Sequence, residues 1–332
     1  MEIKKALTFR ASSIGDCLMA KYLLENIHAK FPGARCGIVI AGRGAMIRDL
    51  FAAYPWIEII EANRRDVGAI VRLWLKYRGS DLVVTQYAGK PGGRFSLASK
   101  LMGRLLARRG GLVGFSDSST WNKFLFSKTI LVRQDQSVVW HEREILRLFD
   151  IPVVFSFPVL VPFKNTNILK RFNLETGRFI VAHLFSGNTI RGMCPEKKGK
   201  LLATVSKKFP DFQLVISGGT QDREEALSVV ENIPAVVVAG EVTIQEMISL
   251  ISTSHGVVSL DTGMAHIAAQ LGVSLVVMCS CFGRNWWFSD QYGVGAKINV
   301  FSCEEMCIGG HVTKNYPDCI NEISIEQVVN VI

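Results

Sequence analysis

The stretch HGVVSLDTGMAHIAAQLGVSLVVMC, residues 255–279, decides the fold prediction for this chain. A run of aliphatic and β-branched residues ends at Leu260, a polar DTG turn follows, and a helical pattern then extends to Leu271. A second apolar run begins after the glycine that ends this helix. Continuous apolar runs that alternate with helices are typical of parallel strands, which are buried because helices cover both faces of their sheet.

The same alternation extends along most of the 332 residues, a length that favours two domains over one. A proline-rich segment at residues 151–167 interrupts it and is interpreted as an extended linker between two α/β sheets. The fold class is therefore predicted as two Rossmann-like, doubly wound domains. Eleven strands are predicted, at residues 6–10, 36–40, 57–60, 81–85, 111–115, 129–133, 178–183, 212–217, 235–239, 255–260 and 274–279.

The predicted domains are residues 1–160 and 161–332, facing a central cleft. Ligands of open parallel sheets bind outside the carboxyl ends of the strands, so the site is expected there. The final helical pattern, SIEQVVNVI at residues 324–332, is predicted to cross back towards the first domain.

The DTG turn is a candidate anion site. A glycine-containing turn at a helix N-terminus offers free N–H groups and the positive end of the helix dipole, and the Thr262 hydroxyl adds a donor. Asp261, Thr262 and Gly263, with His266 one turn into the helix, are therefore suited to bind a diphosphate. The alternative is structural: Asp261 and Thr262 cap the helix, and His266 packs in the core.

A second carboxylate lies where the first predicted strand is followed by a helix, in RASSIGDCLMA at residues 10–20. Asp16 has two interpretations from the residues alone. It could be the N-cap of the helix, accepting a free N–H of the first turn. It could instead lie beside a ligand, because ligands of such sheets bind outside the carboxyl ends of the strands.

The net charge of +9 is concentrated in residues 64–109, which contain eleven basic and two acidic side chains. Lys100, Arg104 and Arg108 recur every four residues beside three leucines, which predicts an amphipathic helix with a basic face. That face could be simply solvated, or it could meet an anionic membrane surface, an anionic acceptor or nucleic acid. Aromatic residues are sparse there and match no RNA-binding pattern, so no nucleic-acid partner is expected.

Other classes of protein are disfavoured. The N-terminus lacks the pattern of a signal peptide, no transmembrane run is apparent, and the eight cysteines are scattered, so reduced thiols in the cytoplasm are expected. The stretch AGRGAMI lacks the third small residue of a dinucleotide fingerprint, which disfavours hydride transfer. Cys303, Cys307 and Cys319 could form a zinc site with His311 or an occasional disulfide; no metal site is predicted.

Four stretches together resemble one family. SLDTGMAHIAAQLGV (259–273) is similar to the donor-site signature of the heptosyltransferases, glycosyltransferase family 9, which build bacterial lipopolysaccharide cores. RASSIGDCLMA resembles the N-terminal motif of that family, HEREILRLFDIP (141–152) its interdomain helix, and CFGRNWWFSDQYG (281–293) its segment after the last long strand. The resemblance implies a GT-B fold with the acceptor site mostly in the first domain and the nucleotide-sugar site mostly in the second.

The resemblance also implies roles for single residues. Asp16 corresponds to the general base, with Ser12, Ser13, Gly15, Arg104 and Arg108 on the acceptor side. Relatives carry a basic pair before Trp-Pro, whereas this chain has HLFSGNTIRGMCPEKKGK (183–200), in which Arg191 is the nearest match and Lys197 or Lys198 could replace it. The expected donor residues are Ser186, Gly187, Asn188, Arg191, Gln221, Asp222, Asp261, Thr262, Gly263 and His266; a capped helix start is the alternative for Gln221 and Asp222.

The expected function is inverting transfer of a heptose from a nucleotide-diphosphate sugar, ADP-heptose, to a lipopolysaccharide core or related anionic glycolipid. No metal and no other cofactor is expected, and the expected location is the cytoplasm, including the inner face of the inner membrane. Two alternatives stay open: a family member with another sugar donor or acceptor, and an inactive relative that only binds nucleotide or glycan.

Overall fold

The structure is a computed structural model that describes residues 2–10, 13–63, 65–85, 97–115, 122–133, 135–163, 165–187, 191–280, 286–293, 296–302, 312–313 and 316–332. The chain divides into two compact units. The first contains Met1–Pro158 and Phe288–Gly293, and the second contains Val159–Trp287 and Val294–Ile332.

The first unit alternates strands and helices along its length. Its strands are β1 (Lys5–Phe9), β2 (Arg35–Ile40), β3 (Ile57–Glu61), β4 (Leu82–Val84), β5 (Leu112–Phe115) and β6 (Lys128–Ile130). Its helices are α1 (Ile14–Lys30), α2 (Gly44–Leu50), α3 (Val67–Tyr77), α4 (Leu97–Leu106), α5 (Asn122–Leu125) and α6 (Val138–Leu148).

The sheet of this unit is parallel, with strand order β3-β2-β1-β4-β5-β6. The order reverses between β1 and β4, so a crevice opens there at the carboxyl ends of the strands. Right-handed crossovers place α3 and α4 on the sheet face opposite α1 and α2. Helix α1 is buried nearly all round because the sheet lies on one side of it and α6 packs on another.

The second unit has the same alternation. Its strands are β7 (Phe179–His183), β8 (Gln213–Ile216), β9 (Ala235–Val237), β10 (Gly256–Leu260), β11 (Leu275–Met278), β12 (Ile298–Phe301), β13 (Val312–Thr313) and β14 (Tyr316–Pro317). Its helices are α7 (Thr166–Arg171), α8 (Pro195–Lys208), α9 (Arg223–Val229), α10 (Ile244–Thr253), α11 (Gly263–Leu271), α12 (Asp318–Asn321) and α13 (Ile325–Asn330), with a 3-10 turn at Thr220–Asp222.

The main sheet of the second unit is also parallel, with order β12-β11-β10-β7-β8-β9. Its order reverses between β10 and β7, which places the DTG turn and the segment after β7 at the same crevice. The two predicted doubly wound sheets are confirmed, and each predicted strand overlaps an observed one. The sequence analysis missed β12, an edge strand whose side chains are only partly buried.

The last helix corrects one expectation. Helix α13 was predicted to cross back towards the first domain, but it belongs to the second unit and packs against α8. Its Val328 and Val329 are buried in the core of that unit together with Leu201 and Val205 of α8. The chain that joins the first unit is instead Phe288–Gly293.

Helix α4 corrects a second expectation. The sequence predicted a basic face that includes Lys100 and an apolar face of leucines, but the structure buries this lysine and exposes two of the leucines. Lys100 is 2% exposed, whereas Leu101 and Leu105 are 47% and 63% exposed. Gly103 faces the sheet so closely that a Cβ there would lie 2.8 Å from Leu112. A close helix–sheet contact at this glycine therefore turns the two leucines outwards.

Among the described residues, no helix is both long enough and apolar enough to cross a bilayer.

Candidate functional site

In the first unit the structure places Asp16 in the first turn of α1, at the β1–β4 crevice. The N-cap of the helix is Ser13, whose hydroxyl accepts a hydrogen bond from the Asp16 N–H at 3.2 Å. The same hydroxyl donates to the Asp16 carboxylate at 2.6 Å. The interpretation of Asp16 as the N-cap is therefore wrong, and its carboxylate is oriented by Ser13 without capping the helix.

A buried ion pair anchors this part of the first unit, and the sequence analysis did not predict it. Arg10, directly after β1, donates to Glu142 of α6 at 2.6 Å and to the backbone oxygen of Thr85 after β4 at 3.0 Å. Burial raises the pKa of Glu142 to about 6, an effect opposed by Arg10 and reinforced by the negative charge of Asp16. Glu142 and Asp16 are therefore close enough for their charges to interact.

In the second unit Asp261 directly follows β10 and is 2% exposed. The indole N–H of Trp287 donates to its Oδ1 at 3.0 Å, and Nη1 of Arg191 lies 3.6 Å from its Oδ2. The Arg191 side chain is 42% exposed. A buried carboxylate is stable only with such partners, so Asp261 holds an accessible guanidinium beside the start of α11.

Thr262 and His266 lie at the start of α11. Thr262 is the N-cap residue, but its side chain makes no capping hydrogen bond, and its hydroxyl lies 3.4 Å from that of Ser259. Burial lowers the pKa of His266 to about 4, so its ring is neutral at pH 7. That ring stacks on Trp287 with 4.6 Å between centroids. His266 thus packs against the side chain that holds Asp261.

The two lysines that could have replaced Arg191 are engaged elsewhere. Lys197 donates to the backbone oxygens of Asn321 and Ile323, which ties α8 to the C-terminal helices. Lys198 is 4% exposed and pairs with Glu225 at 2.7 Å. Of the three candidate cations, Arg191 is the one that the structure places beside Asp261.

The remaining donor-side candidates lie after β7 and after β8. Ser186 and Gly187 follow β7 at the crevice, and a Cβ built on Gly187 would meet no atom within 4 Å. Gln221 and Asp222 follow β8, and the Asp222 carboxylate accepts the Gly219 N–H at 2.7 Å and the Gln221 amide at 3.1 Å. Asp222 therefore caps the 3-10 turn, whereas its side chain makes no capping hydrogen bond to α9. Ser12 and Asn188 lie outside the described residues.

The chain is similar to known glycosyltransferases. Residues 195–279 match the family model of glycosyltransferase family 9 (heptosyltransferase). The chain is 21% identical over 294 residues to lipooligosaccharide heptosyltransferase 2 of Haemophilus influenzae, covering 80% of each protein. These two likenesses support a relation of the chain to the heptosyltransferase family.

Solved structures of heptosyltransferases share the fold of this chain. ADP-heptose lipopolysaccharide heptosyltransferase II of E. coli has a TM-score of 0.73 at 18% identity, covering 98% of this chain and 97% of that one. An E. coli heptosyltransferase solved with ADP-2-deoxy-2-fluoro heptose has a TM-score of 0.67 at 14% identity, covering 98% and 99%. At these identities the likeness concerns the fold alone, which is the GT-B fold of two Rossmann-like domains.

The structure also places most of the acceptor-side residues and one of the C-terminal cysteines. Arg104 is exposed on α4. Arg108, just after α4, pairs at 2.7 Å with Asp81, just before β4, and so links the segments that flank these two elements. Cys303, Cys307 and His311 lie outside the described residues, while Cys319 is buried as a free thiol. Gly15 is buried in the first turn of α1.

Trp287 is a residue of the second-unit site that sequence analysis missed, although its motif was quoted. We expect Trp287→Phe to lower the free energy of unfolding by roughly 1–3 kcal/mol, because the buried Asp261 carboxylate loses its hydrogen-bond donor. Nucleotide affinity should fall as well, since Asp261 then holds Arg191 less firmly. Chemical denaturation and calorimetry measure the two effects.

The matched control is Trp286→Phe, which removes the neighbouring indole and keeps the hydrogen bond from Trp287 to Asp261. Equal losses of stability and nucleotide affinity in both variants would contradict a specific role for Trp287.

Proposed function

We propose that this chain is an inverting glycosyltransferase that transfers heptose from ADP-heptose to a lipopolysaccharide core or related glycolipid. The observation that supports it most is the cluster of Arg191, Asp261 and Trp287 at the start of α11, because it presents a cation and free N–H groups together. The names of the relatives support the sugar and the nucleotide: one acts on lipooligosaccharide, and another is solved with an ADP-heptose analogue.

The proposed base is Asp16. An acceptor hydroxyl is a poor nucleophile, and a carboxylate that takes its proton during attack on the anomeric carbon lowers the barrier. The new bond forms between the acceptor oxygen and the anomeric carbon, while the bond to the diphosphate oxygen breaks and its electron pair leaves with the diphosphate. A single displacement of this kind inverts the anomeric configuration. The hydrogen bond from Ser13 orients the carboxylate for this role.

The proposed donor site stabilises the charge that develops on the leaving diphosphate. The N–H groups after Thr262 and the guanidinium of Arg191 are the donors, since preorganised donors act most strongly where charge appears in the transition state. Asp261 has the same sign of charge as the diphosphate, so its proposed role is to position Arg191 rather than to contact phosphate. Ser186 and Gly187 complete the proposed phosphate loop.

The proposed acceptor is an anionic glycolipid, which places the enzyme at the inner face of the cytoplasmic membrane. The exposed Arg104 on α4 is the basic side chain that supports this part of the proposal. A second candidate function is transfer of a different sugar, favoured by the departure from the family pattern around Arg191, where three residues separate the arginine from Pro195.

The test is a donor screen that follows release of nucleoside diphosphate from ADP-, GDP-, UDP- and dTDP-sugars, with and without a chelator. We expect turnover with ADP-heptose, unchanged by the chelator, and a product of inverted anomeric configuration by NMR. A strict magnesium requirement would contradict the metal-independent mechanism. Turnover with another nucleotide sugar alone would favour the second candidate, and no turnover with any donor would favour an inactive binding protein.

A further inference from the structure

Helix α3 is apolar on two sides. Its inward residues Leu73 and Tyr77 are buried in the core of the first unit, as expected for a helix that covers a sheet. Its outward side carries a second apolar stripe at helical spacing, with the following exposures: Val67 70%, Val71 47%, Trp74 38% and Leu75 56%. Exposed aliphatic residues in a contiguous stripe are uncommon on a solvated helix and indicate a contact surface.

Helix α4 packs against α3 and adds to this stripe. Leu101 and Leu105, one turn apart, face outwards, while Lys100 is buried with its ammonium 5.6 Å from the centroid of the Phe126 ring. The opposite rotation of α4, with the lysine outwards and the leucines inwards, would bury more apolar surface and expose the charge to water. The contact at Gly103 fixes the observed rotation, so the exposed leucines are built into the fold.

Arginine side chains lie around this apolar stripe. Arg72 and Arg104 are exposed, and within the described part of the chain neither has an acidic partner. Arg78 lies over the Trp74 ring, with its guanidinium carbon 4.9 Å from the ring centroid. The basic–apolar face is defined as the outward side of α3 and α4, formed by Val67, Val71, Trp74, Leu75, Leu101 and Leu105 with Arg72, Arg78 and Arg104.

We propose that the basic–apolar face binds the surface of an anionic lipid bilayer. Aliphatic side chains with an interfacial tryptophan, next to exposed arginines, match the acyl boundary and the anionic headgroups of such a surface. Nucleic acid fits less well, because five of the six apolar side chains of this face are aliphatic and only Trp74 offers a ring on which a base could stack. This proposal rests on the proposed function and deepens it. An enzyme whose acceptor is anchored in a lipid bilayer would use such a face to reach that acceptor.

The first arm of the test measures co-flotation of the full chain with vesicles of phosphatidylcholine, with and without one third phosphatidylglycerol. We expect binding that requires the anionic lipid and weakens with salt. The double variant Leu75→Ser, Leu101→Ser should bind at least about 10-fold more weakly at an unchanged melting temperature, because both side chains are already exposed. The matched control is Leu227→Ser, which replaces a leucine of α9 that is 48% exposed. This variant should bind the vesicles as the wild type does.

The second arm tests the charges. Arg72→Glu and Arg104→Glu together should weaken vesicle binding by roughly 25-fold or more, since each cation near an anionic surface contributes roughly a factor of five. Arg108 is left unchanged because it pairs with Asp81. Equal binding to vesicles with and without the anionic lipid would overturn the proposal, as would equal vesicle binding by the wild type and all variants.

Two further readouts separate lipid binding from self-association and from sugar transfer. Sedimentation without lipid should give the same mass for the wild type and the double leucine variant; a smaller mass for the variant would show that the face joins copies of this chain and would overturn the proposal. The vesicles contain no donor and no acceptor, so their result does not depend on turnover. Vesicle binding without sugar transfer would contradict the proposed function alone, and sugar transfer without vesicle binding would contradict this inference alone.

Discussion

The variant Asp16→Asn should fold, bind nucleotide and turn over roughly 100- to 10,000-fold more slowly than the wild type, which is the usual contribution of a positioned general base. Asparagine keeps the shape of the side chain and an oxygen that can accept the hydrogen bond from the Ser13 hydroxyl. It lacks the basicity that removes the acceptor proton. The loss should therefore appear in kcat, while calorimetry should give a nucleotide affinity near that of the wild type.

The control for this prediction comes from the N-cap. Ser13→Ala removes the hydroxyl that caps α1 and should lower the free energy of unfolding by about 1 kcal/mol. It keeps the Asp16 carboxylate and removes only the hydrogen bond that orients it, so turnover should fall far less than in Asp16→Asn. A variant Asp16→Asn that turns over normally would show that the base is elsewhere. A large loss of stability in Asp16→Asn, with Ser13→Ala stable, would show that the carboxylate is structural.

The pattern of apolar runs predicted the fold because a continuous apolar run in the sequence indicates a strand that is buried on both faces. Parallel strands buried on both faces, such as β1 and β10, form continuous apolar runs, and their carboxyl ends fix where a polar turn will lie. Asp16 and the DTG turn could therefore be assigned to the crevices of their own sheets. The edge strand β12 was missed because a half-exposed strand has no continuous apolar run.

The rotation of α4 and the partners of Asp261 could not be predicted from the sequence. The pattern around Leu101 and Lys100 is compatible with either face of α4 turned inwards, and the choice depends on how closely Gly103 approaches Leu112 in a neighbouring strand. The hydrogen bond from Trp287 to Asp261 joins residues that are far apart along the chain, beyond any local pattern. Such side-chain contacts are set by tertiary packing.

Arg191→Ala should lower kcat for sugar transfer by roughly 100- to 1,000-fold, the usual cost of removing one preorganised donor from the charge that develops in the transition state. The guanidinium lies 3.6 Å from the Asp261 carboxylate, and its side chain is 42% exposed, so it can reach a ligand beside α11. Arg191→Lys should recover only part of the loss, because lysine keeps the charge and loses the two-pronged hydrogen bonding of the guanidinium to phosphate.

The sequence left Lys198 open as an alternative cation, and the two variants Arg191→Ala and Lys198→Ala separate the assignments. Lys198 is buried against Glu225, so Lys198→Ala should lower the melting temperature and leave kcat within a few-fold of the wild type. Arg191→Ala should lower kcat much more than Lys198→Ala does, and its loss of melting temperature should stay small, because Trp287 still donates to the buried Asp261 carboxylate. The opposite result, with turnover lost in Lys198→Ala and kept in Arg191→Ala, would assign the phosphate cation to α8. Diphosphate release under saturating donor distinguishes these outcomes, because at saturation the rate reports the chemical step rather than donor affinity.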